Sequence, residues 1–442
     1  MTERITTNPA VRAAWNYPLF DAIFNRRSRR MAMGAEIPDG PNKYRSEKPP
    51  IPLDEVEEAL LVEAGTGISG FNLSDLPFKD DRGRSASGNT MLQFTGRTWA
   101  SPCGSHSTDL FYFNDDGSYL VKLKDVCAEK MRTYVTDDDR DTLLTTFRQH
   151  RVQVLDHRPE HPRSYPAMLS FNLWDSNIPG STVFLPVINH TWQYINGLLL
   201  VCGWADGGAF IVDDLNGMRP AGCERWAQEG LLDANRPLPL SQLRFGEEVE
   251  PAFMLQNIAL AEQAMGLGGW IHAAVNPMVM AQALGFRHET PKGFPLPVPV
   301  GIDGVLEGYC PPYFPSMAAA VDAVVEAKFG PEGIYNPEGP HKAPYRDRHE
   351  FQLGVPRYSE KLVQCVKDIC AYIYETYGRF PANVPTMELS SYWIQAHHLD
   401  LDFYDRFYPE GAYTETQANH MRLWHGDAVG RAPKERLAGA RA

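Results

Sequence analysis

The sequence predicts an α+β fold, and three stretches carry that prediction. Residues 254–266 form the clearest helix, with Met254, Ile258, Ala261 and Met265 on one face and Gly266-Leu-Gly-Gly269 as a stop. Leu110-Phe-Tyr-Phe113, Asn114-Asp-Asp-Gly117 and Ser118-Tyr-Leu-Val-Lys-Leu123 read as a hairpin, because Asp-Gly between aromatic and β-branched runs favours a tight turn. Trp270-Ile-His-Ala-Ala274 is short and apolar, like a buried strand.

The remaining elements fall in order around these. Residues 15 to about 34 predict a helix, with Leu19, Ile23 and Phe24 at near-helical spacing, Pro18 tolerable in its first turn and a basic cluster toward its end. Pro and Gly between 37 and 52 mark a connection. Asp54 and Glu57 then have capping-box spacing ahead of Leu60 and Leu61, in a helix ending near Gly65. Residues 160–250 are rich in Trp, Asn, Gly and Pro, with strand-like runs at 182–187, 197–201 and 209–212. They read as a β-rich, substrate-facing insertion at about 150–250. Val298-Pro-Val-Gly-Ile302 is strand-like, and residues 316–329 and 359–377 are helical, with Gly378 past the second helix and Pro381 beyond. A frayed tail follows Asp427, and no internal repeat is evident.

Length and charge bound the function. A chain of 442 residues holds two or three domains' worth of sequence, or one domain with large insertions. A net charge of -13 argues against a broad nucleic-acid surface, whose affinity rests on many Lys and Arg contacts to phosphates. The longest apolar runs are too short to span a bilayer, and the start lacks the apolar core of a secretory signal. The expectation is a soluble, cytoplasmic protein with no nucleic-acid or membrane partner. Seven cysteines without a C-x-x-C pair form neither a disulfide framework nor a zinc ribbon, and read as small buried hydrophobes.

Against this acidic background stands Arg26-Arg27-Ser28-Arg29-Arg30. Four guanidinium groups this close repel one another, so a concentrated anion is the expected partner, and a phosphate monoester matches Arg donors bidentately. On a helical turn Arg27 and Arg30 would converge, with Ser28 donating nearby and Arg29 facing solvent. The bland alternative is a solvated basic patch.

Arg26, Arg27, Ser28 and Arg30 resemble the N-terminal phosphate- and flavin-contacting motif of the nitroreductase-like FMN flavoproteins. Gln256-Asn-x-x-Leu-Ala261 running into Gly266-Leu-Gly-Gly269 resembles that family's central helix and the turn under the flavin ring, and Val298-Pro-Val-Gly301 its last core strand. One further segment aligns in two ways. Ser69-Gly-Phe-Asn72 with Leu76-Pro-Phe78 is similar to ordinary nitroreductases, whereas Gly96-Arg-Thr-Trp-Ala-Ser-Pro-Cys-Gly104 is similar to the SagB-type, azoline-oxidising branch, with Ala100 and Cys103 departing from its usual Pro and Gly. Ser101 is favoured over Asn72. The resemblance covers residues 15–123 and 250–305.

The resemblance implies a nitroreductase-like fold with a central, mainly antiparallel sheet flanked by helices. It implies FMN as cofactor and ping-pong hydride transfer to or from a small organic substrate, with NAD(P)H or another electron donor. Arg26, Arg27, Ser28 and Arg30 would hold the phosphate or ribityl end; Ser101, Gly104, Trp270, Ile271 and Ala273 would line the ring; His272, beside its N5 edge, would be catalytic. Residues 1–305 would form the core, and 306–442 a helical extension acting as a lid or dimer-wrapping arm in a homodimer.

Rival readings remain. No G-x-S-x-G, H-E-x-x-H, Walker or G-x-G-x-x-G-helix motif occurs. His272 reads equally as a packed strand residue, and Cys103 as a small filler. A closed lid would make the chain a non-enzymatic flavin-sequestering protein. His397, His398, Asp400, Asp402, Asp405, His420 and His425 hold metal-ligand chemistry for a metal-dependent enzyme. Spacing does not favour it: adjacent His397 and His398 point to opposite sides, no i, i+4 His pair occurs, and interleaved Phe403, Tyr404, Phe407 and Tyr408 read as a packing segment. No metal ligand is therefore assigned.

Overall fold

The computed structural model describes residues 4–72, 95–123, 134–204, 207–273, 276–293, 295–336, 338–340, 346–347, 355 and 357–426. Leu76, Pro77, Phe78, Cys127, Ala274 and the tail from Asp427 lie outside them.

The hairpin forms where the sequence placed it. Thr108–Asn114 (β1) and Gly117–Val121 (β2) pair antiparallel, Asn114 opposite Gly117. The Asn114 side-chain oxygen closes the turn by accepting from the backbone N–H groups of Asp116 at 2.9 Å and Gly117 at 3.2 Å. Arg151–Leu155 (β3), Thr182–Asn189 (β4), Gly268–Ala273 (β5), Met387–Leu389 (β6) and Tyr392–His397 (β7) complete a seven-stranded sheet. Its order is β5-β7-β4-β1-β2-β3, with β6 also on β4, and every pairing is antiparallel.

Strand alternation divides the apolar side chains between two faces. Leu110, Tyr112, Phe184, Ile394 and Ala396 join one core cluster with Ala59, Leu61 and Val62, and with Met254, Leu255 and Ile258. Phe111, Phe113, Val183, Leu185 and Trp393 join the opposite cluster with Met280 and Phe286. The helices concerned are Leu19–Asn25 (α1), Glu55–Thr66 (α2), His190–Cys202 (α3), Glu250–Met265 (α4) and Glu415–His425 (α5). On α4, Met254 and Ile258 are fully buried, a burial that contributes about 1.5–3 kcal/mol per side chain. Gly266 ends α4 in the left-handed region, at φ 85°. A separate helical core packs α3 against Met317–Phe329 and Glu360–Tyr377. The architecture is α+β.

Four expectations change. The helix expected over 15–34 is instead Pro9–Trp15 and α1, because Pro18 takes an extended ψ of 134° at the N-cap of α1 and backbone pairing draws out the chain after Asn25. The run at 197–201 is not a strand. It lies in α3, whose N-cap Asn189 accepts from Thr191 N–H, and a short apolar run fits a buried helix as well as a strand. Val298–Ile302 belongs to a small sheet with Arg287–Glu289 and Leu306–Glu307, not to the central one. Residue 305 bounds no sheet: β7 lies between β5 and β4, so 306–442 supplies a central strand rather than only a helical extension. The stretch 150–250 likewise supplies β4.

Candidate functional site

Beyond α1 the chain is extended from Arg26, at φ -54° and ψ 124°. Arg27 N–H donates to Gln263 Oε1 at 3.2 Å, and Arg29 N–H to the Gly269 carbonyl at 3.1 Å. Farther on, Met33 N–H donates to the His398 carbonyl at 2.9 Å, and Asp400 N–H to the Met31 carbonyl at 3.0 Å. The basic segment is thereby stitched to the end of α4 and the outer edge of β5. That strand pairs with β7 on its other side. Strand period puts the backbone groups of Ile271 and Ala273 on the same outer edge as Gly269, and both residues are exposed.

The arginines do not act together. Arg30 turns inward: its Nε donates to Asp175 Oδ2 at 2.6 Å and its Nη2 to Asn172 Oδ1 at 2.9 Å. Its guanidinium carbon lies 3.9 Å from the Trp270 ring centre and 4.9 Å from that of Trp174. Burial pushes the Asp175 carboxyl up to about 6, against the pull of Arg30. Arg29 is not turned to solvent; its guanidinium donates to the carbonyls of Ala412 and Ser28 and lies over Tyr404. Arg27 and Arg30 therefore do not converge, because an extended segment sends them apart where a helical turn would not. Arg26, Arg27 and Ser28 stay near the surface: Arg26 Nη1 donates to Ser28 Oγ at 3.0 Å, and Arg27 Nη1 to the Asn25 carbonyl at 2.8 Å.

His272 is buried, with its ring 4.2 Å from that of Trp270 and 5.5 Å from that of Trp393. Burial lowers its pKa to about 4, helped by the Arg30 charge and by His161. It is neutral at physiological pH, so it has no proton of an imidazolium to give.

Ser101 and Gly104 lie elsewhere. Ser101 Oγ accepts from Ser105 N–H at 3.1 Å and donates to the Glu250 carboxylate at the start of α4. Gln263, which meets Arg27, is 13 residues farther along that helix, roughly 20 Å at 1.5 Å per residue. One chain thus does not bring Ser101 and Gly104 to the surface that holds Arg26 to Ser28. Asn72 Nδ2 donates to the Gly104 carbonyl at 3.3 Å, so the two rival segments are neighbours rather than competitors for one place. The Cys103 thiol donates to the Phe245 carbonyl at 2.7 Å; burial, then Glu247, Glu250 and Glu248, raises its pKa and keeps it a thiol.

A second constellation involves side chains that spacing had set aside. Asp54 and Glu57 form the expected capping box on α2, and Glu57 Oε2 accepts from Asp54 N–H at 2.7 Å. That leaves Oε1, around which three imidazoles gather. His398 Nε2, just past β7, is 3.2 Å away; His420 Nε2 and His425 Nε2, both on α5, are at 3.1 and 3.2 Å. The four ligand atoms lie within 4.8 Å of one another. Glu57, His398 and His420 are buried and His425 is partly open. Burial alone would push the Glu57 carboxyl up, but the three surrounding imidazoles outweigh it and hold it well below its ordinary value. His397, buried and next to His398 in sequence, is not part of this cluster. Asp400 is taken by Lys48 at 2.8 Å and by the Tyr44 hydroxyl at 2.9 Å, and Asp405 accepts from the Tyr413 hydroxyl. Phe403 and Tyr404 pack with Met31 and Ala32, as a packing segment should.

No helix among the described residues is long and apolar enough to cross a membrane. No family model and no curated protein matches the chain. Among solved structures it is similar to the crystal structure of a "putative nitroreductase" from Ralstonia eutropha JMP134, at 14% identity over 60% of this chain and 75% of that one. The TM-score is 0.27, and a likeness at that level carries no argument about what this chain does.

Proposed function

We propose that this chain is an FMN-dependent oxidoreductase of the nitroreductase-like type, acting on a small organic substrate by ping-pong hydride transfer. The observation that supports this reading is convergence. The basic segment and the Gln263 to Ala273 stretch carry separate parts of the sequence resemblance, lie more than 230 residues apart, and meet through Arg27 to Gln263 and Arg29 to Gly269.

The residues fit the cofactor's phosphate at Arg26, Arg27 and Ser28, where two guanidinium groups and a hydroxyl remain near the surface. Arg30 fits it poorly, since Asp175 already neutralises it. When bound, the flavin supplies the hydride chemistry, and the protein supplies orientation and field. The outer edge of β5 at Ile271 and Ala273 would present backbone groups to the ring. Trp270, held against the paired Arg30 guanidinium, would back that edge with a fixed aromatic ring. His272 would pack the strand as a neutral ring rather than act as a catalytic acid.

The distance of Ser101, Gly104 and Asn72 from this surface favours a homodimer in which a second copy brings them to it. Leu19, Phe20, Ile23 and Phe24 on α1 are exposed beside the basic segment, an apolar face that such a copy would cover. NAD(P)H is the proposed electron donor.

The test is FMN titration of the purified chain followed by its visible spectrum. The wild type should gain a bound-flavin band and resist heating. Arg26→Ala combined with Arg27→Ala should weaken FMN binding by about tenfold or more, the loss of one to two charge-assisted hydrogen bonds. A wild type that takes up no flavin would end this reading.

A further inference from the structure

We propose that Glu57, His398, His420 and His425 bind a first-row divalent metal ion, with Zn²⁺ the best match, which staples α5 and the end of β7 to the start of α2. This rests on a different part of the molecule from the flavin reading and stands or falls without it.

Backbone contacts fix which ring nitrogens carry hydrogen. His398 Nδ1 is 3.0 Å from the Ile51 carbonyl, and His420 Nδ1 is 2.8 Å from the Met265 carbonyl. A carbonyl only accepts, so each Nδ1 is the N–H, and in a neutral ring each Nε2 then carries the lone pair. Those lone pairs face Glu57 Oε1, itself an acceptor. His398 Nε2 and His425 Nε2 also face each other at 3.2 Å. His420 Nε2 sits 3.1 Å from the carboxylate yet makes no hydrogen bond, so the contact is not aligned along an N–H axis.

Protons alone close this centre badly. Protonating all three imidazoles would put three cations around one carboxylate in a buried site, and protonating none leaves acceptors in contact. A central cation satisfies every group at once. Three imidazoles and a carboxylate are zinc-type donors, whereas Ca²⁺ and Mg²⁺ select oxygen. The spacing suits an ion: a tetrahedron with bonds of about 2.0 Å has edges of about 3.3 Å, and the three Glu57–imidazole edges and the His398–His425 edge measure 3.1 to 3.2 Å, with the two remaining edges within 4.8 Å.

The surroundings are those of a supported ligand set. Backbone carbonyls orient two of the rings, and the Asp54 N–H holds the second Glu57 oxygen. Four protein ligands close the coordination shell, which points to a structural rather than a catalytic ion. The ion would join segments 368 residues apart, from Glu57 to His425.

The experiment uses the full chain, purified without a histidine tag or chelator, with metal content measured by elemental analysis. About one transition-metal ion per chain is expected in the wild type, and background content in His398→Ala and in His425→Ala. His425 lies at the open rim, so its removal leaves the core packing in place. Wild type stripped with chelator should regain thermal stability on adding Zn²⁺, and should give the visible bands of tetrahedral Co²⁺ on adding that ion; neither variant should respond. A stripped, folded wild type that takes up neither Zn²⁺ nor Co²⁺ would overturn the proposal, as would full metal content in both variants.

Discussion

Two buried centres in this molecule combine imidazole and carboxylate in opposite proportions. At the start of α3, His190 lies between two carboxylates, with Nδ1 3.0 Å from Glu247 Oε1 and Nε2 2.8 Å from Glu388 Oε2. At the start of α2, one carboxylate lies among three imidazoles. In the first, one proton makes both ring nitrogens donors and gives each a carboxylate acceptor, so the ring needs no further partner. In the second, neither three protonated nor three neutral imidazoles give every group a partner of the right kind. The same two residue types therefore make a finished structural element in one place and a ligand site in the other, and stoichiometry decides which.

The substitution that breaks this contrast with the largest effect is Glu57→Gln. Gln can keep the capping contact to the Asp54 backbone, since the box accepts either residue, but it removes the anionic ligand. The wild type should be stabilised by roughly 4 kcal/mol when free zinc exceeds its dissociation constant a thousandfold. In the variant that increment should vanish while the zinc-free stability changes much less. Chemical unfolding with and without zinc measures both, and an undiminished increment would remove Glu57 from the ligand set.

Arg30 offers an intermediate case, a charge closed by its own neighbours. Removing it leaves Asp175, which is fully buried, without its cation. Arg30→Ala should cost about 3 kcal/mol, the lower end for a broken buried pair because the Arg30 side chain is a third exposed. Asp175→Asn in the same background should recover part of that. FMN affinity should change less than in the Arg26 and Arg27 double variant. An equal loss of affinity would return Arg30 to the phosphate.

How legible each centre was in the sequence follows from how it is built. The basic cluster was visible because its residues are contiguous, and the α4 helix and the hairpin because their signals repeat locally. The fate of each arginine was not visible: it depends on Asp175 and Asn172, some 140 residues away, and on backbone pairing that unwinds the expected helix. The histidine cluster was harder still. Its ligands come from α2, the residue after β7 and two positions of α5 five apart, a spacing outside the i, i+4 rule. Glu57 had already been explained as a capping residue, which it also is. The central place of β7 was hidden for the same reason: strand order is a long-range property that local periodicity does not encode.

The smallest of the expected effects tests the completeness of the His190 centre. Burial alone would lower the pKa of this ring, but hydrogen bonds and charge from Glu247 and Glu388 outweigh burial and raise it to about 9. A raised imidazole contributes stability fully below its unfolded pKa of about 6.5, and loses it as pH rises through the folded value. The wild type should therefore lose stability between about pH 6.5 and 9, by about 2 kcal/mol after allowance for the half-exposed Glu388. His190→Gln keeps a donor at one position only and cannot carry charge. It should be less stable at pH 6 and should lack that pH slope, as read by urea unfolding at pH 6 and 9. A slope that survives the substitution would mean that another group carries it, and that the proton on His190 does not close this centre.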